Sequence, residues 1–204
     1  MRIFVTGATG WVGAAVVQDL LAAGHQVLGM ARSDDGAQAL AATGAAVHRG
    51  TLEDLDSLRR GAADVDGVIH TAFSHDFSKF VENAAAEKAA IAALGETLAG
   101  STRPLIVTSG VAFLPADKLG TEDDDVPSDH PIPRDPEQSV NTLVAAGVNA
   151  AIVRLSPSVH GTGDKGFIRY MIDIARQQGV SAYVGDGSNL WPAVHRFDAA
   201  PLYR

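Results

Sequence analysis

Short apolar runs alternate with longer helical stretches from the first residues of the chain onward. RIFVT (2–6), QVLGM (26–30), AAVHR (45–49), GVIHT (67–71), PLIVTS (104–109) and AAIVRL (150–155) have strand length and are dominated by Val, Ile, Leu and Ala. Between them lie helical stretches over Trp11–Ala23, Asp35–Ala42, Glu53–Arg60, Phe80–Leu98 and Pro136–Ala146. Strands that alternate with helices pair in parallel through right-handed crossovers. Near-continuous apolar strands also require helices on both faces of the sheet. The pattern therefore predicts an α/β fold, a doubly wound parallel sheet. A further short strand, SAYVG (181–185), is expected with Tyr183 in the core. The small residues of 80–98 fit two uses: packing on the helix's own sheet, or a close helix contact in a homodimer.

Composition narrows the function classes. The 204 residues are 46% hydrophobic, enough for a large core. No apolar run approaches the roughly 20 residues of a membrane span, and MRIFVTG runs straight into a glycine motif, so the chain reads as cytoplasmic. The net charge of −8 and the acidic run Glu122–Asp125 argue against nucleic acid as a partner, leaving a small-molecule substrate. Without cysteine there is no disulfide, thiol nucleophile or cysteine-ligated metal. No histidine spacing suggests a metal site.

Thr6–Gly13, TGATGWVG, places glycines at 7, 10 and 13 directly after a strand and at the opening of a helix. Glycines in that order let the backbone approach a pyrophosphate held at the helix N-terminus. Gly7, Thr9, Gly10, Trp11, Val12 and Gly13 are the candidate contacts. An acidic residue at the end of the second strand would favour NAD by bonding the ribose hydroxyls and repelling a 2′-phosphate. Here Ala31-Arg32-Ser33 stands in its place: the repulsion is gone, Arg32 offers a fork of donors and Ser33 a hydroxyl. NADP is the expected cofactor.

These residues resemble the short-chain dehydrogenase/reductase superfamily, in its extended or atypical group related to nucleoside-sugar epimerases and dehydratases. The likeness runs through TGATGWVG, GTLEDLDSL, HTAF, VTSG, RLSPSVHGTGDKGF and VGDGSNLWPAVHRFDAA. It implies a Rossmann-like domain over 1–160 and the start of a substrate-binding region over 161–204. It places Thr51 and Leu52 beside the adenine, and Thr71, Ala72 and Phe73 along the ribose and pyrophosphate. Thr108 and Ser109 fall at the strand end where the family keeps a catalytic serine or threonine, and Val159 near the nicotinamide amide. His160 and His195 resemble positions near the substrate cleft. Members of the group continue beyond FDAAPLYR, so the substrate region is expected to be incomplete here, and Trp191–Arg204 to lack packing partners.

One departure is chemical. The superfamily's Tyr-x-x-x-Lys supplies an acid/base phenol and the lysine that lowers its pKa. The first tyrosine of this chain is Tyr170, and Asp129 and Pro133 occupy the expected positions, in the proline-punctuated stretch PSDHPIPRDPEQSVN. Glu137 keeps the helix register. Ser109 is then the leading catalytic candidate, set to hydrogen-bond a substrate carbonyl, against the alternative of a polar strand cap; the candidate proton donors are His130 or Asp129, Tyr183 from later in the chain, or water. The expected function is an NADP-dependent oxidoreductase or epimerase/dehydratase-like enzyme acting on a small carbonyl or alcohol. The alternatives are a non-catalytic NADP-binding sensor and an NAD-dependent nucleotide-sugar epimerase.

Overall fold

The computed structural model describes residues 1–114, 118–127 and 132–204. The predicted alternation is present. β1 (Arg2–Thr6), β2 (Gln26–Ala31), β3 (Ala46–Arg49), β4 (Gly67–His70), β5 (Leu105–Gly110) and β6 (Ala150–Leu155) form one sheet in the order β3-β2-β1-β4-β5-β6. Every pairing is parallel, with Thr6 opposite His70 and Ser109 opposite Arg154. The strand order reverses between β1 and β4, and in such sheets the crevice beyond the carboxyl ends at that point receives ligands.

Helices cover both faces. α1 (Trp11–Ala22) and α2 (Asp34–Ala41) lie on one, over a core that includes Val5, Val16, Leu20, Val27, Leu40 and Ile69. α3 (Leu55–Ala63), α4 (Phe80–Leu98) and α5 (Pro136–Ala145) lie on the other, over Phe4, Leu58, Val68, Ile91, Leu94, Leu105 and Val107. α3 starts two residues later than its sequence pattern suggests because the Asp54 carboxylate caps the Ser57 N–H at 2.9 Å. Gly95 of α4 is used within the chain: a Cβ there would run into the side chain of Leu143 on α5.

The last third departs from expectation at two places. β7 (Ser158–His160) pairs in parallel with β8 (Ala193–His195), and α6 (Phe167–Gln178) lies between them in sequence. SAYVG is not a strand: Tyr183 is 73% exposed, with its ring beside Gly187 in a turn whose glycines 185 and 187 take φ of +58° and +80°. A run of alternating residues forms a strand only beside a partner edge, and the segment that pairs with β7 is Ala193–His195 rather than SAYVG. The tail is packed: after α7 (Arg196–Ala199) a 3-10 turn (Ala200–Tyr203) buries Ala199, Ala200 and Tyr203 in the core on the α1 face, and Arg204 Nε donates to Asp19 at 2.8 Å. Among the described residues no helix is long and apolar enough to cross a membrane.

Candidate functional site

The glycine loop lies at the strand-order reversal. Gly7 turns the chain out of β1 with φ of +67°, and its carbonyl accepts the Gly10 N–H at 2.8 Å. A Cβ on Gly7 would sit 2.8 Å from the Ala72 nitrogen, and one on Gly13 would drive into the Gly7 carbonyl, so the loop and α1 close against the end of β4 only with glycine at both. Thr71 fastens that contact by donating its hydroxyl to the Thr6 carbonyl at 2.8 Å. Gly10 is the N-cap of α1 and no side chain bonds the first-turn N–H groups. A helix start of this kind attracts anions. Thr9 is exposed, while Trp11 and Val12 are partly buried. Trp11 ties the loop to the far end of the sequence, its Nε1–H donating to the Val159 carbonyl at 2.7 Å with the Arg196 guanidinium 4.2 Å above its ring. The Val159 carbonyl is therefore already engaged.

At the outer strand ends, Arg32 and Ser33 are exposed, Ser33 caps α2 by accepting the Gly36 N–H at 3.1 Å, and Ala31 is buried. Arg49, at the end of β3, braces this turn by donating to the Ser33 carbonyl, to the Arg32 carbonyl at 3.3 Å and to the Asp34 carboxylate at 2.9 Å. Two arginines therefore stand at the β2–β3 edge, where the sequence drew attention to one. Thr51 and Leu52 follow β3, Leu52 leaning on the core of the α3–α5 face. Ala72 and Phe73 continue from β4, and both are partly buried.

A polar row fills the carboxyl ends of the central strands on the α3–α5 face. His70 is fully buried, its Nδ1 lies 2.9 Å from Thr6 Oγ1, and its Nε2 has no hydrogen-bond partner among the described residues. Burial, reinforced by the Arg134 charge, pushes it down to about 4, so it is neutral at pH 7. Ser109 donates its hydroxyl to Glu137 Oε1 at 2.7 Å. Arg154 grips both oxygens of that carboxylate, Nε to Oε1 at 2.9 Å and Nη2 to Oε2 at 2.7 Å, and also bonds the carbonyls of Thr121 and Asp124. A second pair sits alongside: Arg134 donates to both oxygens of Glu87 at 2.6 and 2.7 Å, reaches the Thr108 carbonyl at 3.3 Å and stacks 4.4 Å from the Phe73 ring centroid. Burial pushes the Glu87 carboxyl up, against the pull of Arg134.

Tyr203 is pushed up to about 12 by burial, and its hydroxyl lies 2.9 Å from that of Thr108. Tyr170 and Tyr183 are exposed. Candidates His130 and Asp129 lie outside the described residues. Thr108 and Ser109 point to opposite faces of β5: Thr108 bonds the His70 carbonyl at 2.9 Å, and Ser109 faces Glu137. Sequence reasoning passed over Glu87, Arg134 and Arg154, and gave Glu137 only a place in the helix register. The available signals were an arginine inside the apolar run AAIVRL and a glutamate inside the alanine-rich α4.

The sequence profile of the NAD dependent epimerase/dehydratase family matches residues 3–125. The chain belongs to this family. An uncharacterised protein of Schizosaccharomyces pombe is 52% identical over 205 residues, covering all of this epimerase/dehydratase-family chain and 69% of that protein. An uncharacterised Saccharomyces cerevisiae protein is 44% identical over 207 residues, covering 100% and 70%. A 2-alkyl-3-oxoalkanoate reductase of Stenotrophomonas maltophilia is 30% identical over 203 residues, covering 93% of this chain and 60% of the enzyme. Among solved structures, a nucleoside-diphosphate-sugar epimerase from Pseudomonas aeruginosa superposes with a TM-score of 0.79 at 16% identity, covering 100% and 67%. A UDP-glucose 4-epimerase from Bifidobacterium longum, in complex with NAD+ and UDP, gives 0.74 at 19%, covering 98% and 72%, and at these identities the likeness concerns the fold. The extended short-chain dehydrogenase/reductase resemblance is borne out by the family and the fold.

Proposed function

We propose that this chain is the dinucleotide-binding part of an NADP-dependent oxidoreductase or epimerase/dehydratase-like enzyme acting on a small carbonyl or alcohol. The observation that carries the reading is the glycine loop: a positive-φ Gly7, a Gly13 with no room for a side chain and an uncapped α1 N-terminus, all at the strand-order reversal. Gly7 to Gly13 hold the pyrophosphate, and Thr71 to Phe73 line its ribose side. Arg32 and the Ser33 hydroxyl take the 2′-phosphate, with Arg49 holding the turn that presents them. Thr51 and Leu52 flank the adenine, and Thr108, Ser109 and the Val159 strand lie toward the nicotinamide. A bound nicotinamide supplies or accepts hydride. Residues 161–204 begin the substrate side, where α6 exposes Phe167, Tyr170, Met171 and Ile174.

A second reading, an NADP-binding sensor, is favoured by one observation: no Tyr-x-x-x-Lys occurs in the 204 residues. Titration with NADPH and NADH, followed by NADPH oxidation on a panel of aldehydes, ketones and nucleotide sugars, separates the readings. Tighter binding of NADPH is expected, and Arg32→Ala weakens it by about tenfold or more while sparing NADH, since a charge-assisted contact contributes roughly 1.5–3 kcal/mol. Equal affinities refute the NADP assignment. Binding without turnover on any substrate favours the sensor.

A further inference from the structure

We propose that Glu137 is the proton-accepting and positioning partner of Ser109, a serine–carboxylate relay that serves where a tyrosine–lysine dyad is lacking; this rests on the oxidoreductase reading above. Ser109 and Glu137 are both buried, 3% and 4% exposed, and are joined by a 2.7 Å hydrogen bond in which the serine is the donor. Arg154 holds the carboxylate by two bonds, Nε to the Oε1 that accepts from Ser109 and Nη2 to Oε2, so that Oε1 is fixed beside Ser109. A serine committed as donor to a carboxylate presents only lone pairs to anything else. The substrate group that matches it in this state is an alcohol hydroxyl, in contrast to the carbonyl expected from the sequence.

Oxidation of the alcohol couples a proton relay to hydride loss. The carbinol O–H bond breaks and its proton passes to Ser109 Oγ as the Ser109 proton passes to Glu137 Oε1. The carbinol C–H bond breaks with both electrons leaving as hydride to the oxidised nicotinamide dinucleotide, and the carbonyl π bond forms. Ser109 ends as a hydroxyl and Glu137 carries the proton. Reduction reverses each transfer, with the proton starting on Glu137.

The competing use of the same bonds is mechanical, because Arg154 also ties the carbonyls of Thr121 and Asp124 to the sheet edge. Glu137→Gln, Ser109→Ala and the double variant distinguish the two, each measured for turnover, substrate KM, NADPH affinity and urea midpoint. The relay predicts a loss of about 100-fold in kcat for either single variant. NADPH affinity and KM stay within about threefold, and the double variant is no slower than the worse single, as for groups that act as a unit. Turnover within threefold of the parent in folded Glu137→Gln overturns the relay, as does a loss that only tracks falling stability and cofactor affinity. Should Glu137→Gln fail to fold, Glu137→Asp keeps the charge for Arg154 but withdraws the carboxylate from Ser109. It should lose about tenfold or more in kcat, and parent-level turnover there overturns the relay. A parent that binds NADPH yet turns over no alcohol or carbonyl overturns the oxidoreductase reading and the relay with it, an outcome recognised because the parent itself is silent.

Discussion

Arg134→Met tests the electrostatics beneath the site. The pair it breaks is nearly dry: the Arg134 side chain is 15% exposed and that of Glu87 only 3%, with their closest approach 2.6 Å. Losing the guanidinium leaves a carboxylate buried in mid-helix with no compensating charge, which costs about 3–5 kcal/mol. The lost stacking on Phe73 adds roughly 0.5–1 kcal/mol. The penalty depends on pH in a direction that follows from Glu87. Burial already raises its carboxyl, and without Arg134 it rises further, so the folded variant takes up a proton more readily than the unfolded chain. Stability is then recovered as pH falls, and the deficit in urea unfolding followed by circular dichroism should be largest at pH 8 and clearly smaller at pH 5.5. Burial holds His70 and His75 down and the Arg134 charge adds to it, so removing Arg134 eases their protonation and acts in the same direction. Glu87→Gln/Arg134→Met separates the contributions, since it keeps the histidine effect and removes the carboxylate. It should recover more than half of the loss at pH 8. Equal losses in the single and double variants, or a deficit unchanged between the two pH values, would refute the reasoning.

Two further outcomes are expected. Gly13→Ala forces a methyl into the Gly7 carbonyl, with Thr71 Oγ1 only 2.7 Å away, so NADPH affinity should fall at least tenfold by fluorescence titration; Gly10→Ala, whose nearest neighbour is the Gly7 carbonyl at 3.1 Å, should be milder. His70 has a folded pKa of about 4 against a reference near 6.5, so the unfolded chain binds the extra proton between those values. Its contribution is complete above about pH 6.5 and lost as pH falls toward 4, roughly 3 kcal/mol over the full span. His70→Asn should flatten that part of the stability profile in urea unfolding at pH 7 and 4.5.

What the sequence determined by itself was local. Each apolar run of the sheet became a strand because a parallel strand covered on both faces needs little beyond continuous β-branched and aliphatic residues. The glycine loop was legible because β1, the turn and α1 are contiguous, so the demand for glycine at 7 and 13 is written within eight residues, 6–13. The missing carboxylate at the end of β2 was legible for the same reason. The tertiary structure alone decided the rest. Ser109 meets Glu137 across 28 positions and Arg154 meets Glu137 across 17, while Trp11 finds the Val159 carbonyl 148 positions away. Those meetings depend on the register of β5 against β6 and on the rotation of α5 about its axis, neither of which leaves a period in the chain. SAYVG failed as a strand for a related reason: alternation describes a segment, but an edge to pair with belongs to the whole fold. Buried charges were the least legible of all, because a glutamate among alanines reads as a solvated helix face until its partner, 47 residues further on in Arg134, is folded onto it.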